Sequence, residues 1–109
     1  FIAAVGADNP HKCEIAPALM ARARVVPDIT AQAEVMGDLR AAIEAGAMRR
    51  DDVHAELAQI VSGACAGRTS QREIFIFDST GTAIADLAAA TIVYQRASAD
   101  PAALRIALN

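Results

Sequence analysis

The chain has 109 residues, 54% of them hydrophobic and 21% charged, a globular balance with material for one modest core. Its net charge of −3 and pI near 5.2 provide no attractive field for phosphate backbones, and the ten Lys and Arg are scattered, so nucleic acid is excluded as a natural partner. Cys13 and Cys65 lie far apart, without C-x-x-C spacing or a histidine at ligand distance, which points to free thiols and no metal site.

The chain opens on the strand-compatible run Phe1 to Ala7 (FIAAVGA), without a cap or start signal, as though it began inside a strand. Gly6, Asn9 and Pro10 punctuate the run as a loop. Pro17 to Ala23 is rich in helix formers, with Pro17 suited to a first turn. Arg24 to Ile29 offers a second strand, cut short by Pro27, which has no N–H for a ladder. Thr30 is placed to cap a helix running through Gln32 to Met36 and stopping at Gly37.

Leu39, Ile43 and Ala47 share one helical face, with Gly46 as the stop. Asp51 and Asp52 suit a further helix start, with Val53, Leu57, Ile60 and Val61 as its apolar stripe and Gly63 as its end. Residues 64–71 read as a surface loop. Glu73 to Phe77 (EIFIF) is continuous enough to be a strand buried on both faces, as parallel strands are. It runs into DSTG and then a long helix, Thr82 to Arg96, with Ile84, Leu87, Ala88, Thr91, Val93 and Tyr94 available for packing. A last helix is possible after Pro101.

This β-α-β-α-α-β-α order predicts an α/β fold with a parallel sheet covered by helices. An antiparallel α+β arrangement is the alternative, but hairpin signals are missing. No G-x-G-x-x-G or G-x-x-x-x-G-K-[ST] occurs. Together with the abrupt start, this suggests the C-terminal half of a Rossmann-type dinucleotide-binding domain over residues 1–97, followed by a tail or helix at 98–109. The longest apolar run, Leu87 to Tyr94, is too short to span a membrane, and no stretch has signal-peptide order, so a cytoplasmic protein is expected.

The segments VGADNPHKCEI, ARVVPDITAQAEVMGDL, DVHAELAQIVSG, GRTSQREIFIFDSTG and AIADLAAATIVYQRA, covering nearly all of residues 3–97, resemble in content and order the C-terminal third of the ornithine cyclodeaminase/mu-crystallin family. Full members are much longer, so the resemblance implies one part of a larger protein. It also implies NAD or NADP as cofactor, a small amino or imino acid as substrate, and a homodimer in the full-length protein. The implied chemistry is hydride transfer at a Cα–N bond: cyclodeamination of ornithine to proline, or reduction of a cyclic ketimine such as pyrroline-2-carboxylate. The alternatives are a non-catalytic, mu-crystallin-like binding protein or a structural remnant. The 109 residues alone are expected to be inactive and to expose apolar surface through which they associate.

Within that resemblance, Asp8 matches the catalytic aspartate that handles protons at the reacting nitrogen; a carboxylate at a strand end can have its pKa tuned for such work. Spacing alone makes Asp8 the start of an Asx-turn with Asn9 and Pro10. Gly6 would admit close approach of backbone and cofactor, and Lys12 with Glu14 either orders the loop as an ion pair or meets substrate. His11 stands where the family usually has glycine. Ser79, Thr80 and Gly81 match the stretch beside the nicotinamide, although Ser79 or Thr80 as a cap of the long helix is the simpler role. Asp78 is expected to face solvent or pair locally, His54 to be a surface or helix-packing residue, and Arg68 to brace its loop. Met20, Met36 and Met48 are expected as core or interface filler.

Overall fold

The computed structural model describes residues 1–7 and 9–106. Three strands, β1 (Ile2–Ala4), β2 (Arg24–Pro27) and β3 (Phe75–Asp78), form a parallel sheet in the order β1-β3-β2. Ile76 of β3 pairs with Ile2 on one side and Val25 on the other, and Asp78 pairs with Ala4 and Pro27. The carboxyl ends of all three strands therefore lie side by side. The expected α/β architecture is present, and it is parallel throughout because each strand returns through helical crossovers.

Helices α1 (Pro17–Met20), α2 (Thr30–Ala33) and α3 (Asp38–Glu44) precede α4 (Leu57–Val61) and the long α5 (Ala83–Ala99). Ala4, Val25 and Ile76 present one sheet face to Met20, Ala33, Leu39, Ala42 and Met48, which together form the buried core. Met36 is only half-buried at the edge. On the opposite face, Phe75, Phe77 and Val26 meet Leu57, Ile60, Gly67 and Arg68 around a cavity of about 230 Å³. The first face has the helical layer of an open α/β sheet, and the second is only partly covered, by α4 and residues 67–68.

Several expected elements are shorter than the sequence pattern suggests. The helix predicted over Pro17–Ala23 stops at Met20, because Arg24 N–H must reach Ile74 O at 2.8 Å to open β2. Thr30 is the first residue of α2 instead of its cap, and its N–H goes to Glu56 Oε1 at 2.8 Å. The helix predicted from Asp51 to Gly63 is split into a 3-10 turn, Arg50–Asp52, an extended piece, and α4. His54 N–H bonds to Val25 O at 3.0 Å, tying the extended piece to β2, while Asp52 Oδ2 accepts the Arg49 N–H at 2.7 Å. The extended backbone there wins over helix propensity because it satisfies an edge carbonyl of the sheet.

α5 departs furthest from expectation. Every one of its residues is exposed, with Ile84 and Tyr94 each at 75% and Leu87 at 67%. Its apolar residues are spread around the helix without a one-sided stripe, so no single face is specified for this sheet. It continues to Ala99, and a turn at Asp100 to Ala103 replaces the possible helix after Pro101. No helix among the described residues is long and apolar enough to cross a membrane.

Candidate active site at the strand ends

Backbone bonds extend the sheet one step beyond its strands and bring the candidate residues together. Ser79 N–H donates to Ala4 O at 2.8 Å, and Asp28 N–H donates to Asp78 O at 3.2 Å. Gly6, Asp28 and the Ser79–Gly81 turn thus emerge from adjacent strand ends, the position at which open α/β sheets bind ligands. Asp8, the expected catalytic residue, lies outside the described residues. The described loop after it contains an Asx-turn centred on Asn9, whose Oδ1 accepts the His11 N–H at 3.0 Å.

At Gly6 the close approach anticipated from the sequence is made by a side chain of the protein. Glu14 Oε2 accepts the Gly6 N–H at 2.8 Å, and a Cβ at position 6 would stand 2.0 Å from Glu14 Oε1. Glu14 therefore straps the loop back onto the end of β1.

The Ser79–Gly81 turn is held by a residue the sequence reading did not single out. Asp28 Oδ2 accepts the N–H groups of Thr80 and Gly81, both at 3.0 Å, and the Ser79 hydroxyl at 3.4 Å. Its Oδ1 accepts the Thr80 hydroxyl at 3.0 Å and the N–H of Ile29 at 2.8 Å. Gln32 Nε2, from α2, donates to Gly81 O at 2.9 Å. The hydroxyls of Ser79 and Thr80 are thus used inside the protein, and neither caps α5, whose N-cap is Thr82 without a side-chain bond. They fall too early in the chain and are drawn sideways to the carboxylate. Asp28 was legible in one respect: it follows β2 as Asp8 follows β1 and as Asp78 ends β3.

Asp78 corrects a second expectation. It is fully buried instead of facing solvent, and its carboxylate reaches across to accept the N–H groups of Asp38 at 3.4 Å and Leu39 at 2.8 Å. It serves as the cap of α3. Burial pushes its pKa up to about 6, against the opposing N–H of Leu39, and the carboxylates of Asp38 and Asp28 add to the rise. Asp38, also fully buried, accepts the N–H groups of Glu14 at 2.7 Å and Ile15 at 2.9 Å through Oδ1. The chain Asp78, Asp38, Glu14, Gly6 links the end of β3 to the loop after β1.

The remaining candidates have structural work. His54 lies outside any helix: Nδ1 is 3.2 Å from Arg24 Nη1, Nε2 is 2.8 Å from Ala66 O, and its ring sits edge-on to Phe75. Arg68 braces its loop as expected, donating to the carbonyls of Glu73 and Gln71. Cys13 and Cys65 are free thiols.

A parallel sheet reached through helical crossovers, with a small-residue turn beside a glycine at its carboxyl edge, defines part of a Rossmann-type dinucleotide-binding domain. Residues 1–100 match the ornithine cyclodeaminase/mu-crystallin family, and the chain belongs to it. Three solved structures are similar over nearly the whole chain. An archaeal alanine dehydrogenase dimer with bound NAD has a TM-score of 0.82 and 38% identity, covering 99% of this chain and 34% of its own. Iminosuccinate reductase of Paracoccus denitrificans in complex with NAD+ has a TM-score of 0.82 and 41% identity over 98% of this chain and 33% of its own. Thermococcus litoralis Δ1-pyrroline-2-carboxylate reductase, in complex with NADH and L-proline, has a TM-score of 0.84 and 28% identity over 96% of this chain and 33% of its own. Likewise, the chain spans 30% of the length of the alanine dehydrogenase of Archaeoglobus fulgidus, with 42% identity over 96 residues and 88% of this chain covered.

Proposed function

We propose that the complete protein is a cytoplasmic, homodimeric NAD(P)-dependent enzyme that transfers a hydride at the Cα–N bond of a small amino or imino acid. Two outcomes of that chemistry fit the family: reduction of a cyclic ketimine such as pyrroline-2-carboxylate, or cyclodeamination of ornithine to proline. In this reading residues 1–97 contribute the second half of the dinucleotide-binding domain, and these 109 residues alone have no turnover.

The observation that carries the reading is the placement of Gly6 and the Ser79–Gly81 turn at adjacent carboxyl ends of parallel strands, in a family whose solved members include complexes with NAD+ and NADH. The turn fits a flat ring: Gly81 is exposed, and the space in which a side chain would stand there is open. Ser79, Thr80 and Gly81 would border the nicotinamide through the backbone of the turn, the two hydroxyls being held by Asp28, and Gly6 would border it from the neighbouring strand end. The cofactor supplies or accepts the hydride. Asp8, at the end of the GAD motif, would hold and move the proton at the substrate nitrogen.

The test is an NADH oxidation assay of the complete protein with pyrroline-2-carboxylate and with pyruvate plus ammonia, alongside ammonia release from ornithine. Turnover that drops by about 10²-fold or more in Asp8→Asn, with NADH affinity retained, is expected. Absence of turnover on every amino and imino acid tried, with no NADH binding, would overturn the reading.

A further inference from the structure

Asp28 takes no part in the family chemistry set out above, yet it is the most heavily used carboxylate of the described site. Its two oxygens accept three bonds from backbone N–H groups and two from hydroxyls, at 2.8 to 3.4 Å. A carboxylate has about four lone-pair positions, so these five bonds occupy its full accepting capacity. Its work is therefore directional. The N–H groups of Thr80 and Gly81 are aimed back into the protein, and the Thr80 hydroxyl goes with them. Gln32 fixes the carbonyl of Gly81 from the other side. The Thr80 methyl is pressed against Gly37, where an added Cβ would come within 2.8 Å of it. Every polar group so occupied stops the turn from rearranging.

We propose that Asp28 is the positioning residue for the nicotinamide-side turn: its carboxylate, on the neighbouring strand end, locks Ser79–Gly81 into one shape, and that fixed shape sets cofactor affinity without Asp28 touching the cofactor. The inference rests on the reading that this turn borders the cofactor. A wall ordered before binding spares the ordering entropy that a loose turn would lose on contact. The effect falls on the cofactor and leaves the amino or imino acid unaffected.

The experiment uses the complete enzyme, with NADH as the probe. Asp28→Ala is expected to raise the Kd and KM for NADH by about tenfold, the scale of one charge-assisted bond's worth of preorganisation. The KM for the imino acid should stay within about twofold, and kcat at saturating NADH should fall less than the NADH affinity does. Asp28→Asn, which keeps one acceptor oxygen, should recover part of the loss. Thr80→Val, which removes a single bond to Asp28 and keeps the side-chain shape, should shift NADH affinity in the same direction by less, and it serves if Asp28→Ala does not fold. Amide chemical shifts of residues 79–82, with and without NADH, distinguish the role of Asp28 from cofactor contact at the turn, since the amides of Ser79, Thr80 and Gly81 are already bonded before binding. NADH-dependent shifts of that segment in the wild type, with unchanged NADH affinity in the variants, overturn the role of Asp28 alone. Unmoved shifts in a wild type that binds NADH overturn the reading of the turn as a cofactor contact, and this inference with it. Equal losses of NADH and imino-acid affinity would show a general loosening and would also overturn it.

Discussion

The carboxylate of Asp78 caps the helix that Asp38 begins, taking the backbone N–H of Leu39 at 2.8 Å while Asp38 in turn takes the N–H groups of Glu14 and Ile15. Two buried acids thus act in series, each turned toward backbone donors of a segment far away in sequence. Neither is balanced by a cation in these bonds, and Asp78 carries a desolvation cost that its N–H partners only partly offset.

That cost makes Asp78 a source of pH-dependent stability. Its pKa rises from the model-peptide value of 3.8 to about 6 on folding, chiefly through burial. The folded state therefore holds the proton more tightly than the unfolded state. The contribution of this group is greatest below about pH 3.8 and is lost as the pH rises through about 6, by roughly 3 kcal/mol in all. Asp78→Asn has no such titration. Urea unfolding at pH 4.5 and pH 7 should show wild type losing stability relative to Asp78→Asn across that window. A difference between the two proteins that is the same at both pH values would contradict the assignment.

Asp38 should respond differently to its two simplest substitutions. Asp38→Ala removes the acceptor for the N–H groups of Glu14 and Ile15 and should cost about 2 kcal/mol or more. Asp38→Asn keeps an acceptor oxygen and removes the charge that helps raise the pKa of Asp78. It should be near neutral in stability and should lower the pKa of Asp78. Thermal unfolding of both variants, with an NMR titration of Asp78, checks this; equal destabilisation by Ala and Asn would show that charge matters more than the acceptor.

How much of this was legible in the sequence differs by level. The parallel order was readable because β2 and β3 are apolar runs separated by helical crossovers, and the DSTG turn announced itself by composition. The split at Val53–Glu56 was not readable, since it depends on His54 reaching Val25 O, a contact between residues far apart in the chain. Asp78 was hidden for the same reason, and Asp28 showed only its place after β2. An aspartate before a small-residue turn looks like a local cap, and only the adjacency of strands distant in sequence shows that its partners belong to another loop. The exposure of α5 had no sequence signal beyond the absence of a clear stripe.

Gly37 is predicted to be intolerant of any side chain. Its φ of 98° and ψ of −170° lie in a region reserved for glycine, and an added Cβ would stand 2.8 Å from Thr80 Cγ2 and 3.2 Å from Asp78 Oδ1. Gly37→Ala should cost about 1–3 kcal/mol from backbone strain alone, with the displaced Thr80 adding to it. Because Thr80 belongs to the proposed cofactor wall, the variant should also bind NADH more weakly at temperatures where it remains folded. Chemical denaturation combined with an NADH titration reads both effects, and unaltered stability would be incompatible with the packing described.

Gly6 and Glu14 lend themselves to a double-mutant cycle, because the steric conflict and the hydrogen bond involve the same pair. In Gly6→Ala the new methyl displaces the Glu14 carboxylate, which is the mobile end of a flexible side chain, and so the cost should be limited to the lost bond, about 1 kcal/mol. Glu14→Ala should cost a similar amount. Once Glu14 has been shortened there is nothing left to displace, and adding Gly6→Ala should be neutral or slightly stabilising, since alanine reduces the freedom of the unfolded chain. Strict additivity of the two substitutions in urea unfolding would show that Glu14 is not what keeps position 6 a glycine. NADH binding to the double variant then isolates the functional demand: with the steric conflict with Glu14 gone, any remaining loss of affinity comes from the methyl group meeting the cofactor, and wild-type affinity would assign the glycine to the Glu14 strap alone.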